Sequence, residues 1–242
     1  MTPAPSTTPQ EAGSAKRSYV RGMFSAIAPR YDLLNHVLSL NVDRRWRRQA
    51  VDRLGWQAAP QGTYLDLCAG TLDLGVELAR RPGFQGRVVG ADFALPMLTL
   101  GKRKAPEIRP LAADALELPF AERTFDGCMV AFGIRNLVDL DGGLSEIARV
   151  LKPGATAVML DFSLPTTWPV KPLYLFYFRR VLPRIGRLVS KHMSAYQYLP
   201  ASVADFPSPE ALRGRLAAQG FSPADARRLT FGIASLVWGR RT

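Results

Sequence analysis

Two hydrophobic periods divide the chain. Across residues 18–56 apolar side chains recur every three or four positions, as at Val20, Met23, Phe24 and Ile27, which predicts helices. Pro29 interrupts the first helix, residues 31–39 make a second piece, and a third spans 44–54, capped by Asn41 or Asp43 and stopped near Gly55. Beyond residue 60 the period changes. Short apolar runs at 64–68, 87–91, 109–112, 125–132 and 156–162 read as strands, separated by helical patterns at 73–81, 96–104 and 141–151. The run at 125–132 is nearly continuous, as a strand buried on both faces requires. Lys152-Pro153-Gly154 closes the helix at 141–151. A helix at 209–219 follows, and strands at 226–231 and 233–239 flank Gly232, which predicts a hairpin with one antiparallel edge strand. The alternation predicts an α/β fold: a doubly wound, seven-stranded, mostly parallel sheet of Rossmann-like type with a C-terminal antiparallel hairpin. The helices before the first strand can cover the sheet's ligand edge as a lid.

Length and charge narrow this picture. With 242 residues and 47% hydrophobic content, the chain suits one α/β domain. We expect a disordered Pro/Ser/Thr-rich tail at 1–15, then a single domain at 16–242 with a helical lid at 16–56 and an inserted segment at 163–205. No apolar run is long enough to span a membrane, and the tail lacks the apolar segment of a secretory signal. The net charge of +12 favours polyanionic partners, nucleic acid or an anionic membrane, although arginines spread over helix faces would give the same balance. Two isolated cysteines, Cys68 and Cys128, read as reduced core thiols of a cytoplasmic protein. His36 and His192 sit in no ligand-spaced group, so no metal site is predicted.

The chemistry concentrates at the first strand. Tyr64-Leu65-Asp66-Leu67-Cys68-Ala69-Gly70-Thr71-Leu72-Asp73-Leu74 reads as a strand, a glycine turn and a helix start, and Asp92 ends the next strand. The G-x-G-x-x-G dinucleotide signature is absent, and the looser pattern fits S-adenosylmethionine (SAM). Gly70 lets the backbone approach the ligand's methionine part, and the helix start near Thr71 offers N–H groups to its carboxylate. Asp92 can accept from the ribose hydroxyls, Asp114 from the adenine amino group, and the Ala115 amide can face a ring nitrogen. Asp66, inside the strand, can touch the cofactor or order the loop.

Longer stretches carry a resemblance. Residues 23–35 (Met23-Phe24-Ser25 through Leu34-Asn35), Arg45-Trp46-Arg47-Arg48, Ala131-Phe132-Gly133-Ile134-Arg135-Asn136, Asp161-Phe162-Ser163-Leu164-Pro165, Leu182-Pro183-Arg184-Ile185-Gly186 and residues 195–202 resemble the ubiquinone/menaquinone biosynthesis C-methyltransferase family, over nearly all of 19–240. The resemblance implies methyl transfer from SAM to a ring carbon of a polyprenylated quinol, either demethylmenaquinol or a methoxy-polyprenyl-benzoquinol. It puts the family's cofactor positions on Thr71, Asp92, Asp114 and Ala115, and acceptor-side roles on Arg135, Asn136 and Tyr196, with Tyr31 and Asn35 as further lid candidates. Two departures stand out. Leu72 replaces a family glycine and is expected to avoid positive φ, and Ala131 replaces a serine hydroxyl, so weaker or rearranged SAM binding is expected. The 163–205 segment interleaves Lys171, Arg179, Arg180, Arg184, Arg187 and Lys191 with aromatic residues, which suits peripheral contact with an anionic membrane at its inner, cytoplasmic face. Rival readings are another small lipophilic acceptor, an RNA-binding or RNA-modifying protein suggested by the charge, and a scaffold that has lost SAM binding. No nucleic-acid module stands out.

Overall fold

The computed structural model describes residues 9–32, 39, 41–177, 180 and 193–242. Seven strands form its sheet: β1 (Thr63–Leu67), β2 (Arg87–Asp92), β3 (Arg109–Ala112), β4 (Phe125–Ala131), β5 (Leu151–Phe162), β6 (Phe221–Leu229) and β7 (Ala234–Arg241). Their order is β3-β2-β1-β4-β5-β7-β6. The helices described are α1 (Pro9–Ile27), α2 (Val42–Arg53), α3 (Asp73–Ala79), α4 (Leu95–Lys104), α5 (Leu140–Val150), α6 (Val170–Phe176), α7 (Met193–Asp205) and α8 (Pro209–Ala218). None of these is long and apolar enough to cross a membrane.

Side chains alternate across a strand, so a strand covered on both faces must be apolar at every position. The central strands meet that demand. Leu65, Leu67, Cys128, Val130, Ala157, Met159 and Val237 join one apolar cluster with Leu144 and Ile147 of α5 and Leu212 and Leu216 of α8. Their sequence neighbours Tyr64, Met129, Val158, Leu160 and Leu236 join another, with Trp46 and Val51 of α2, Leu74 and Leu78 of α3 and Leu98 of α4. The helices start where their caps lie: Asp139 accepts from the Gly142 N–H at 3.0 Å, and Ser208 from the Ala211 N–H at 3.2 Å ahead of Pro209.

The C-terminal pair departs from expectation. β7 runs antiparallel to both β5 and β6, so the reversed strand is interior and the edge strand β6 runs with the others. The residue pattern explains the exchange. Leu236 and Val237 are both buried and need cover on two faces, whereas β6 carries Asp225, Arg227 and Arg228, the charges that keep an exposed edge from pairing further. β5 also starts earlier than predicted, at Leu151, running through Lys152-Pro153-Gly154 with a register shift between Phe125 and Gly127 on β4. α1 reaches back to Pro9, into the stretch expected as tail. The helix predicted at 31–39 lies mostly outside the described residues.

Leu72 also corrects the sequence reading. It takes φ +67°, in the left-handed region, as the residue leading into α3. A non-glycine residue there costs about 1–3 kcal/mol. Burial offsets this: Leu72 is fully enclosed in the α2–α3–α4 face of the core. It fills the space above Gly90 on β2, where a Cβ would come within 2.2 Å of Leu72 Cδ2. Its side chain therefore points into the core. In urea denaturation, Leu72→Ala should be the least stable of three proteins, by about 2–5 kcal/mol. Leu72→Gly, relieved of the φ penalty, should fall between it and the wild type. A Leu72→Gly protein more stable than wild type would mean that packing does not offset the backbone.

Candidate active site

The strand order reverses between β1 and β4, and ligands of such sheets bind outside the carboxyl ends of the strands at that reversal. A cleft of about 720 Å³ lies there. Its walls are Cys68 after β1, Asp92 at the end of β2 and Phe93 after it, Asp114 and Ala115 after β3, and Phe132 and Gly133 after β4. The backbone around it is bent: Cys68, Gly70 and Phe132 all have positive φ, of 54°, 52° and 59°. Left-handed non-glycine residues gather at functional sites because the surrounding structure must hold them. Cys68 thus sits at the cleft wall, just past the strand in which it was expected.

Four of the six predicted cofactor residues meet at this cleft: Gly70, Asp92, Asp114 and Ala115. Asp92 is the anchor. Its Oδ2 accepts from the Gly70 N–H at 2.8 Å and its Oδ1 from the Ala94 N–H at 2.8 Å. Burial raises its pKa, while these amides and that of Phe93 pull it back down. A carboxylate offers about four lone-pair sites, so one remains for a ligand after three amides. Asp114 turns its own loop, accepting from the Leu116 N–H at 2.9 Å, and its Oδ2 lies 3.4 Å from Arg17 of α1.

The other two stand behind the cleft. Asp66 is buried, and its Oδ2 accepts from the Gly75 N–H at 2.8 Å, so it fixes the first turn of α3. Thr71 is also buried, and its hydroxyl donates to Asp32 at 2.5 Å. Asp32 accepts in turn from Lys104 Nζ at 2.8 Å, Lys104 also binds Asp73, and Arg47 lies 3.5 Å from Asp73 and 3.4 Å from Asp43. This chain of charges ties the lid segment to the glycine loop and to α2, α3 and α4.

Sequence reasoning named Tyr31 but missed the rest of the lid wall. Arg17, Val20 and Phe24 of α1 line the cleft with Tyr31. Their spacing of three and four places them on one helix face, a signal available in the sequence. Lys16 of the same helix donates to the Leu137 carbonyl at 3.1 Å.

Of the acceptor-side residues, Asn136 lines the cleft, and its Oδ1 is buried without a hydrogen-bond partner among the described residues. Arg135 is turned away from it, into a buried ion pair: Nη1 binds Asp161 Oδ1 at 2.7 Å, and the guanidinium lies 5.6 Å from the Phe162 ring centre. Asp161 was part of a quoted motif but had no assigned role; a second acid near the end of a parallel strand, like Asp92, was the available sign. Burial raises the Asp161 pKa, and Arg135 opposes that. The side chain of Tyr196 lies outside those described, as do Asn35 and both histidines. Ala131 is not among the residues that line the cleft, although Phe132 and Gly133 after it are.

The cleft fits SAM. Gly70 presents bare backbone, Asp92 and Asp114 offer acceptors 22 residues apart in sequence on adjacent loops, and the Asn136 amide oxygen lacks a partner among the described residues. Sheet order and cleft together define a class I, Rossmann-like SAM-dependent methyltransferase. A possible histamine N-methyltransferase from Thermotoga maritima shares the fold, with TM-score 0.64 at 16% identity over 91% of this chain and 99% of that one. The sequence model of the ubiE/COQ5 methyltransferase family matches residues 12–241, and the chain belongs to that family. It is 50% identical to a demethylmenaquinone methyltransferase of Thermus thermophilus, over 90% of this chain and 100% of the relative. It is 47% identical to a ubiquinone/menaquinone biosynthesis C-methyltransferase of Geobacter sulfurreducens, over 93% and 90% of the two.

Asp66 yields a pH test. Burial pushes its pKa up to about 7 against the opposing Gly75 amide and the Arg47 charge. The folded protein then holds a proton that the unfolded chain releases, so this contribution is full in acid and lost as pH rises towards 7. Asp66→Asn keeps an acceptor for the Gly75 N–H and removes the titration. Denaturation free energies between about pH 4 and 8 should fall more steeply for wild type than for Asp66→Asn. Equal slopes would show that Asp66 is ionised throughout.

Proposed function

We propose that the enzyme methylates a ring carbon of a polyprenylated quinol, demethylmenaquinol or a methoxy-polyprenyl-benzoquinol, in quinone biosynthesis. The relatives' names support the acceptor class. One observation carries the reading on this chain. A second pocket, of about 790 Å³ and lined by Arg135, Tyr198 and Ser202, shares Leu137 and Val138 with the cofactor cleft. Three buried polar atoms around that junction, Arg135 Nε, Asn136 Oδ1 and Tyr198 Oη, have no partner among the described residues. Buried polar atoms need partners, and a quinol head brings two hydroxyl groups beside an apolar tail.

Bound SAM supplies a methyl group already activated by its sulfonium. The chain's work is on the acceptor. A ring carbon becomes nucleophilic when a neighbouring hydroxyl loses its proton. Arg135 stabilises that oxygen, and its permanent charge rules it out as the base. Asp161 and Phe162 fix the guanidinium from behind. Asn136 and Tyr196 complete the proposed acceptor contacts, and Phe132, Leu137 and the α1 lid keep water from the reacting atoms.

A lipid-tailed acceptor also calls for access to a bilayer. Trp168, Leu173 and Phe176, at and before α6, are 85%, 70% and 60% exposed, and Lys171 beside them is exposed as well. Such a projection supports peripheral docking on the cytoplasmic face of an anionic membrane.

The full chain, given SAM and reduced demethylmenaquinone in vesicles, should yield a product heavier by one CH2, a methyl standing in place of a ring hydrogen, with the ring proton released and an equal amount of S-adenosylhomocysteine formed. Absence of transfer to any quinol, with SAM bound, would overturn the acceptor. Arg135→Ala leaves Asp161 buried and unpaired and should cost about 3–5 kcal/mol of stability. Arg135→Lys retains the charge and loses Nε, and kcat should fall at least about tenfold with SAM affinity unchanged. Turnover within about twofold of wild type would end the proposed role.

A further inference from the structure

A third depression, of about 750 Å³, lies outside the active site between α2 and the end of β6. Arg45 and Gln49 of α2 line it with Arg227, Arg228, Thr230 and Phe231, and none of the described residues lining it is acidic. Arg228 is held in place by Glu210 at 2.9 Å and by the Leu164 carbonyl at 3.4 Å. Arg45 and Arg227 are exposed, and neither guanidinium has a hydrogen bond or ion pair among the described residues. Arg45 and Arg227 thus bring two guanidiniums to the lining of one hollow, and each carries the planar donor fork that suits phosphate oxygens.

The turn beside it is strained. Thr230 and Phe231 are consecutive non-glycine residues at φ +45° and +58°. Trp46 Nε1 pins Thr230 Oγ1 at 2.8 Å, and Ser163 Oγ donates to the Gly232 carbonyl at 2.8 Å. The effect is to hold Phe231 out in solvent, 77% exposed. Thr230 gives the buried Trp46 indole its acceptor, whereas the Phe231 ring that the turn presents is not packed. Persistent strain of this kind points to function. Ser163 and Leu164 lead into the connection towards α6, so this ring and the exposed Trp168 rise from adjoining segments. Trp46, behind the hollow, packs on Phe132 of the cofactor cleft with ring centres 6.2 Å apart.

We propose that this hollow binds the phosphodiester headgroup of an anionic phospholipid through Arg45 and Arg227, while Phe231 enters the acyl boundary. The occupant is a lipid rather than a soluble anion because an apolar ring stands exposed beside the cations. The inference rests on the reading that the acceptor is lipid-borne, and it adds a second membrane contact to α6, one ring away from the cofactor.

The test is co-sedimentation of the full chain with vesicles of phosphatidylglycerol and phosphatidylcholine, against phosphatidylcholine alone. Wild type should pellet with the anionic vesicles. Arg45→Glu/Arg227→Glu should lose at least about thirtyfold in vesicle affinity. Phe231→Gly separates anchoring from folding: glycine relieves the left-handed backbone, so thermal stability should hold or rise while vesicle affinity falls. All three proteins should methylate a water-soluble, tail-less quinol within about twofold of one another. A failure to methylate any quinol would sink the acceptor reading and leave the vesicle result standing. Vesicle binding unaltered in the double variant, or a Phe231→Gly protein that pellets like wild type, would overturn the proposal. So would saturable binding of inorganic phosphate without binding to vesicles, which would assign the hollow to a soluble anion.

Discussion

The arrangement depends on one buried hydrogen-bonded carboxylate. Asp92 ends β2, yet its Oδ2 is bonded to the Gly70 amide in the loop after β1, and its Oδ1 to Ala94 at the start of α4. A buried charge is costly unless it is well partnered. Here the partners are backbone amides, so meeting that demand also dictates the path of two loops. The glycine turn is drawn against the end of the neighbouring strand, and the cleft is the space left between them. Gly70 can follow because it has no Cβ to resist φ +52°. The same carboxylate still faces the cleft, where an acceptor site remains open.

The loop divides its labour. Its backbone serves the cleft, and its side chains serve the structure around it. Thr71 turns its hydroxyl to Asp32, and Leu72 packs over Gly90. Asp32, Lys104, Asp73, Arg47 and Asp43 then link the lid to three helices. Part of this chain is exposed, where single pairs contribute little, so its importance is geometric. A shift in the loop is felt by the lid, and lid residues Arg17 and Tyr31 touch the same cleft.

Much of this was legible in the sequence, and the reasons differ by residue. The parallel core was plain because Leu65, Met129 and Val158 belong to strands apolar on both faces. Asp92 and Asp114 could be placed at the carboxyl edge of the sheet because their order and spacing after successive strands set them there, and both line the cleft. Asp66 takes the loop-ordering alternative and the Thr71 hydroxyl turns to Asp32, since spacing along the chain does not reveal which side of a loop a side chain takes. The strand pairing at the C-terminus was missed because a hairpin signal gives direction but not which strand faces the sheet. The buried Arg135–Asp161 pair joins residues 26 apart across two strands, and only the folded register brings them together. The strained Phe231 turn was invisible, because left-handed φ at a bulky residue runs against every local preference.

The central claim is that the cleft built around Asp92 holds SAM. Calorimetric titration of SAM into the wild type and into Asp92→Asn, each checked for a cooperative thermal transition, tests it most directly. The account predicts one site on the wild type and at least about a tenfold loss of affinity on the folded variant, since an amide cannot accept at both positions. Undiminished SAM binding by a folded Asp92→Asn protein would contradict it.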